Sequence, residues 1–477
     1  HPAWSADGAR SAGPADAPAH AEAPVPMRLA RLGAVLDSFL ARPNLRGLDV
    51  GVLVESLDTG EVLYERAADG ALIPASNMKI VTGAAALDLF GPDYRFATEI
   101  STNAQAVRAN LEGDLFVRGS GDPSFVTEEL WKLVERIETL GIARIGGDVV
   151  LDATAFDTAR TASREARSGD RAYHARLGAL SLNFNAVAVH VRPGARPGDP
   201  AFVSLAPPVA GIDIVGDLDT SRRRGAIEVR RRGDGDRDAI VVRGSVRAGS
   251  GERVVYRNVG DPLAYFASAL EEFLRRSGIE VAGAFRAGSR PDDARVLFVH
   301  ESKPLALIVR DLNKFSNNFV AEQLVKAMGA ERSGEPGTTA GGVAALEGYL
   351  GGLELPGGSF RVADGSGFSR ENRLSPRTIV AVIRRALGDF ETSYEFAASL
   401  SVSGTDGTLE DRMGYAALRG AVRAKTGLLD GVSAISGIAE TASGERIAFS
   451  MISNGFSCEA WHVHDMEHAL LGAMIGG

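Results

Sequence analysis

The chain has 477 residues, of which 45% are hydrophobic and 24% charged, with a net charge of −9. That suits two or three globular domains and argues against a nucleic-acid binder, since no basic stripe stands out. No run approaches about 18 apolar residues, so no membrane-spanning helix is expected, and a single cysteine, Cys458, excludes an intrachain disulfide while leaving the redox compartment open.

Residues 1–26 are rich in Ala and Pro and read as a disordered lead-in, as in a processed, exported protein or a trimmed chain. From Met27 to Ala41, apolar residues recur at helical spacing: Leu29, Leu32, Val35, Leu36, Phe39 and Leu40. Two strands follow at 48–56 and 61–66, joined by the turn Asp58-Thr59-Gly60. A helix starts near Pro74 and stops at Gly91-Pro92. From about residue 100 the texture changes to short Val-, Ile- and Leu-rich strands with Gly turns, plus a helix around 127–140. Residues 187–258 read as a small all-β unit. The runs Arg222 to Arg224 and Arg230 to Arg232 read as solvated loops, the second because Asp234, Asp236 and Asp238 follow it. Helices return at 262–276, at 304–313 and after Asn317. Strands at 421–428, 432–439 and 446–453 turn at Asp430-Gly431 and Ser443-Gly444. A last helix fills 459–474.

A hairpin near the start and a three-strand meander near the end predict a five-stranded antiparallel sheet built from both chain ends and flanked by helices. The fold class is therefore α+β, and the middle of the chain is an insertion of mostly β character. The expected division is 27–100 with 300–477 as one domain, 101–186 with 259–299 as a second, and 187–258 as a third.

The chain keeps six lysines against 46 arginines. Arg cannot lose its proton in a protein, whereas a buried Lys beside another cation can. The lysines keep notable company. Lys79 stands three residues after Ser76. Lys314 stands two before Ser316-Asn317-Asn318. Lys425 opens Lys425-Thr426-Gly427. A serine hydroxyl is a poor nucleophile unless a base takes its proton. On one helix, Ser76 and Lys79 share a face, about 5–6 Å apart at Cβ. The first turn puts Ser76 at the positive end of the helix dipole, where an oxyanion is favoured. Lys79 acts as base only when neutral, which needs a shift of about three pKa units, or roughly 4 kcal/mol. Burial and a neighbouring cation supply that, and Lys425 is the obvious cation. Each element alone has an ordinary reading: a helix pair, an N-cap, a strand end. The three in this order and these contexts form a catalogued catalytic triple.

With these motifs, the chain resembles the class C low-molecular-mass penicillin-binding proteins, the D-alanyl-D-alanine carboxypeptidase/endopeptidases of peptidase family S13. Further stretches resemble the same family: Ser120 to Pro123, Gly178 to Asn185, Asp364 to Arg370, and Gly404 to Leu409. The long interval between Lys79 and Ser316 fits its two-domain insertion. The resemblance implies a β-lactamase/DD-transpeptidase-like fold and a serine DD-peptidase acting on peptidoglycan stem peptides through an acyl-enzyme on Ser76. Lys79 would accept the Ser76 proton and Ser316 would relay it to the leaving amine. Asn318 would hold the substrate amide and help position Lys79. Lys425 and Thr426 would meet the terminal carboxylate, with Gly427 allowing close approach. The backbone N–H groups of Ser76 and Leu428 would form the oxyanion hole. The implied partners are the stem peptide and, as covalent inhibitors, β-lactams; no cofactor, metal or nucleic acid is implied. The substrate implies a periplasmic or otherwise extracytoplasmic place. Leu428 departs from the family, which commonly has Thr or Ser there. A hydroxyl for the carboxylate is lost, which tilts the expectation toward endopeptidase work.

Other readings were weighed on particular residues. His462, His464 and His468, with Cys458 and Asp465, invite a metal, but they lie on the last helix and read as ordinary helix residues. Asp364-Gly365-Ser366-Gly367 reads as a tight turn supporting the site. Tyr173 and Asp170 are candidates for a stem-peptide pocket. A serine β-lactamase on the same fold would use a Glu-x-x-x-Asn element, yet Gly351 and Gly358 follow Glu347 and Glu354. A non-catalytic binder of peptidoglycan or β-lactam would usually carry a transmembrane helix and a partner domain.

Overall fold

The computed structural model describes residues 25–105, 109–159, 169–223, 225–233, 238–414 and 418–476. The lead-in expected over 1–26 lies outside these residues up to position 24; Val25 and Pro26 already belong to helix α1, Val25–Leu40.

Strands β1 (Asp49–Ser56) and β2 (Val62–Arg66) form the expected hairpin. A 3-10 turn, Ala75–Asn77, leads into α2, Met78–Phe90. After the insertion come α3 (Leu305–Phe315), α4 (Asn318–Ser333) and α5 (Pro376–Gly388). Strands β3 (Ser401–Val402), β4 (Val422–Leu429), β5 (Val432–Glu440) and β6 (Arg446–Asn454) follow, then α6, Trp461–Ile475. The sheet order is β2-β1-β6-β5-β4-β3, antiparallel throughout. All five expected strands are present, and the two-residue β3 adds a sixth. It pairs only with Arg423 and Ala424, so the edge of β4 from Lys425 to Leu429 is not covered by it.

The central strands are apolar on both faces because both faces are covered by helices. In β1, Leu53 joins a core with Ile80, Val309, Leu324 and Ile379, while Val52 and Val54 join Leu36, Leu470 and Leu471 on the other side. Alternation with period two sends neighbouring residues into different cores. Helix α2 is buried along most of its length, from Met78 to Leu87, and so lacks a polar face.

The insertion leaves and returns through paired strands, Ala97–Thr102 and Arg295–Glu301. They sit in a five-stranded sheet with Leu115–Gly119, Val149–Asp152 and Phe285–Ala287. A three-stranded sheet uses Ala186–Arg192, Phe202–Ala206 and Arg253–Asn258, and a four-stranded one runs through Asp238–Arg247. The second arginine run is not a solvated loop. It lies in strand Ile227–Arg232, where Arg231 donates to Asp238 Oδ1 (2.8 Å) and to Asn258 Oδ1 (3.1 Å). A strand needs its charges satisfied by neighbours, and Asp238 is nearly buried there. Of the other charges in these two runs, Arg224, Asp234 and Asp236 lie outside the described residues.

Candidate active site

Ser76 sits in the middle of the 3-10 turn and is half-buried. The turn is held from two sides by glycine. Ala75 takes a left-handed φ of 46°, and a side chain at Gly367 would collide with its carbonyl oxygen. On β4, a Cβ at Gly427 would lie 2.9 Å from both Pro74 O and Ser76 N. The strand backbone thus passes against the serine amide, which only a glycine permits.

Lys79 is fully buried one helical turn on. Its Nζ lies 3.0 Å from Ser76 Oγ, 2.7 Å from Asn318 Oδ1 and 2.6 Å from Ser366 O. The last two atoms can only accept, whereas the serine hydroxyl can also donate. A neutral amine has two N–H donors and one lone pair. Given to Asn318 and Ser366, those donors leave the lone pair facing the Ser76 hydroxyl.

Asn318 opens α4, and Asn317 is its N-cap, accepting from Phe319 N (2.9 Å) and Val320 N (3.3 Å). The middle residue of the second motif therefore does the capping, and its neighbours face the cleft. Ser316 holds a left-handed conformation, φ 54° and ψ 40°, costly for a serine and typical of functional sites. Its Oγ accepts from Lys425 Nζ at 2.9 Å. Lys425 also donates to Thr426 O at 2.7 Å and is fully buried. It was expected to be the charged neighbour that depresses Lys79. Its own pKa is instead pushed well below the ordinary lysine range, by burial first and by Lys79 second.

Ser76, Ser316, Asn318 and Leu428 line one cleft of about 840 Å³, walled on the insertion side by Tyr173 and Phe184. Phe184 reaches it from three consecutive left-handed residues, Asn183 to Asn185, pinned by the buried Asn185, whose Nδ2 donates to Arg176 O and Ser181 Oγ. Thr426 points its Oγ1 at Thr408 Oγ1, 2.8 Å away. Leu428 is 53% exposed at the cleft mouth. Tyr173 is in the cleft, but Asp170 is engaged elsewhere, accepting from Arg231 N (3.1 Å) and pairing with Arg257 (3.1 Å). Glu347 and Glu354 are exposed and do not line the cleft. On α6, His468 Nε2 accepts from Arg412 Nε at 3.2 Å, and the buried Glu467 takes Arg412 Nη2 (2.7 Å) and Ser433 Oγ (2.6 Å). Burial, then Arg412, lowers His468 to about 4.

Sequence reasoning read the Asp364 turn as a support of the site but not the contacts it makes. The Asp364 turn does more than fold back: its Ser366 carbonyl receives Lys79, and Ser366 N donates to the buried Glu322 at 3.0 Å. Glu322 stands four residues after Asn318, on the same helix face, and that spacing was a readable signal. Thr408 lies in the stretch Gly404 to Leu409 already singled out, but its contact with Thr426, 18 residues away, was not readable.

A half-buried serine, a buried lysine against it and an open antiparallel sheet edge belong to the fold shared by serine DD-peptidases and serine β-lactamases. A family model described as "D-Ala-D-Ala carboxypeptidase 3 (S13) family" matches residues 32–473, and the chain belongs to that family. It is a serine-type D-Ala-D-Ala carboxypeptidase. A D-alanyl-D-alanine carboxypeptidase from an Actinomadura species is 35% identical over 449 residues, covering 90% of this chain and 82% of its own. The D-alanyl-D-alanine carboxypeptidase DacB of Haemophilus influenzae is 26% identical, covering 86% of each chain. The crystal structure of penicillin binding protein 4 from Haemophilus influenzae superposes with a TM-score of 0.80 at 24% identity, over 93% of this chain and 99% of that one.

Proposed function

We propose that Ser76 is the acylated nucleophile and Lys79 its base. The observation that carries this is the partner set of Lys79: two obligate acceptors and the Ser76 hydroxyl. Ser76 Oγ attacks the carbonyl carbon of the penultimate D-alanine and gives its proton to Lys79. The backbone N–H groups of Ser76 and Leu428 receive the oxyanion. As the C–N bond breaks, Ser316 delivers the proton to the leaving amine and is resupplied through the lysine pair. Water then attacks the ester and returns the hydrogen to Ser76. Asn318 holds Lys79 and the substrate amide, and Lys425 donates a hydrogen bond to Ser316. Thr426 meets the terminal carboxylate.

The substrate lies extended along the part of β4 that β3 leaves open, adding a strand. A leaving D-alanine makes the reaction a carboxypeptidase step; a leaving crosslinked residue makes it an endopeptidase step. One solved structure of the Haemophilus influenzae protein is a complex with a β-lactam, and β-lactams are read as acylating Ser76 here. The substrate places the protein outside the cytoplasm, in the periplasm or an equivalent space.

Intact mass after incubation with benzylpenicillin is the test. A stable adduct that vanishes in Ser76→Ala is expected. Fast turnover with no adduct would favour a β-lactamase, and neither adduct nor D-alanine release from a stem pentapeptide would leave a binder only.

A further inference from the structure

We propose that Thr408 is a positioning residue for the free carboxylate of the substrate, acting through Thr426 and offsetting the hydroxyl that Leu428 lacks. This rests on the reading of Thr426 as the carboxylate contact. Between Lys425 and Leu429, Thr426 carries the one side-chain hydroxyl. A single hydroxyl has one hydrogen to give. In the structure that hydrogen goes to Thr408 Oγ1 at 2.8 Å. When a carboxylate takes it, Thr426 Oγ1 becomes a pure acceptor, and Thr408 is already within reach to donate back. The contact survives with its direction reversed. A hydroxyl that is itself receiving a hydrogen bond donates more strongly.

Thr408 is built to stay there. It lies in the 3-10 turn Gly407–Leu409, and its N–H donates to Ser401 Oγ at 3.3 Å. Gly407 takes φ +59°, and a side chain on it would run into Ser401 Oγ and Lys314 O. Asp406 Oδ1 accepts from Val402 N at 2.8 Å, and its other oxygen is paired with Lys314, which also donates to Leu400 O at 3.2 Å. Lys314 stands two residues before Ser316. The loop that presents Ser316 and the turn that presents Thr408 are therefore clamped together, so the hydroxyl pair and Ser316 keep a fixed relation. Ser401 Oγ, 3.5 Å from Thr408 Oγ1, gives the Thr408 hydrogen a weak resting place when the site is empty.

The experiment compares an acylated Lys-D-Ala-D-Ala tripeptide with its C-terminal amide. Thr408→Val keeps the shape and removes the hydroxyl; Thr408→Ser restores it. The expected result is a KM for the free acid raised about tenfold in Thr408→Val, with kcat and the amide reaction unchanged, and recovery in Thr408→Ser. An equal loss on acid and amide, or no recovery with serine, overturns the proposal in favour of a structural role. Thr426→Val separates the two readings. If it loses acid preference while Thr408→Val keeps it, the Thr426 assignment stands and the Thr408 proposal falls. If neither variant loses it, both fall.

Discussion

At the level of single residues, the expected pH behaviour turns on Lys425, buried beside Lys79. Lys425 has a folded pKa well below its ordinary value, through burial and then Lys79, against about 10.4 in an unfolded chain. Between those values the unfolded chain binds more protons, so stability rises with pH across that window. Below the folded pKa, the protein carries the full cost of a buried ammonium. Lys425→Met removes it, at the expense of the bonds to Ser316 and Thr426 O. We expect the variant to be more stable than the parent at pH 6 by about 1–4 kcal/mol, with the gap narrowing by pH 10. Urea midpoints at several pH values measure this, and a variant weaker at every pH would refute it. Acylation by benzylpenicillin should fall by about 100-fold or more in the same protein. In the parent, acylation should climb with pH as Lys425 loses its proton, along a limb below the usual lysine range. Lysine scarcity, together with the Ser76 and Thr426-Gly427 motifs beside them, made Lys79 and Lys425 legible. The lowered pKa of Lys425 was not, because it depends on how deeply the side chain is buried.

At the level of elements, the site is where the end of β4 meets the turn before α2. Strand periodicity and turn glycines gave β4 to within one residue and the stop signal gave the end of α2, but α2 starts at Met78, after a 3-10 turn, rather than near Pro74. Their contact was not readable, because it spans most of the chain. Gly427 marks it: a Cβ there would meet Ser76 N and Pro74 O at 2.9 Å and Ala75 Cβ at 3.0 Å. Backbone atoms cannot swing aside as a side-chain tip can. Gly427→Ala should therefore push β4 off the turn and displace the amides of Ser76 and Leu428 together. Losing oxyanion donors costs roughly 10²- to 10³-fold, so the acylation rate should fall by that order. The strand is paired along its whole other side to β5, so the melting temperature should drop by only a few degrees. A full-rate variant would mean that the amides do not form the oxyanion site. The parallel pairings of the insertion, such as Ile212–Val215 beside Asp238–Val241, were equally hidden, since periodicity names strands and not their partners.

At the level of the whole molecule, the insertion is fastened to the catalytic region by a third buried lysine, Lys326. Lys326 is 1% exposed on α4, eight residues or about 12 Å along the helix axis from Asn318. Its ammonium is paired with the Asp157 carboxylate and donates to Asp157 O at 2.7 Å. Around this pair, Asp157 N donates to Gly337 O (3.1 Å) and Gly337 N to Ala155 O (2.8 Å), while Ala155 and Phe156 pack in the same core as Ile80 and Leu324. The insertion thus completes the core that carries the site, and the cleft has walls from both parts. Because Lys326 is buried and Asp157 only partly so, the two partners are not equivalent. Asp157→Ala strands an ammonium in the core. Breaking a buried pair costs about 3–5 kcal/mol, and the partial exposure of Asp157 lowers the expectation to about 2–3 kcal/mol. Lys326→Met removes the charge with the bond and should cost less than half as much, its apolar stem filling the same space. Urea unfolding of the two variants decides the point. Equal losses would mean that packing rather than charge holds the insertion in place. A larger loss in Lys326→Met would mean that the backbone bond to Asp157 O outweighs the carboxylate.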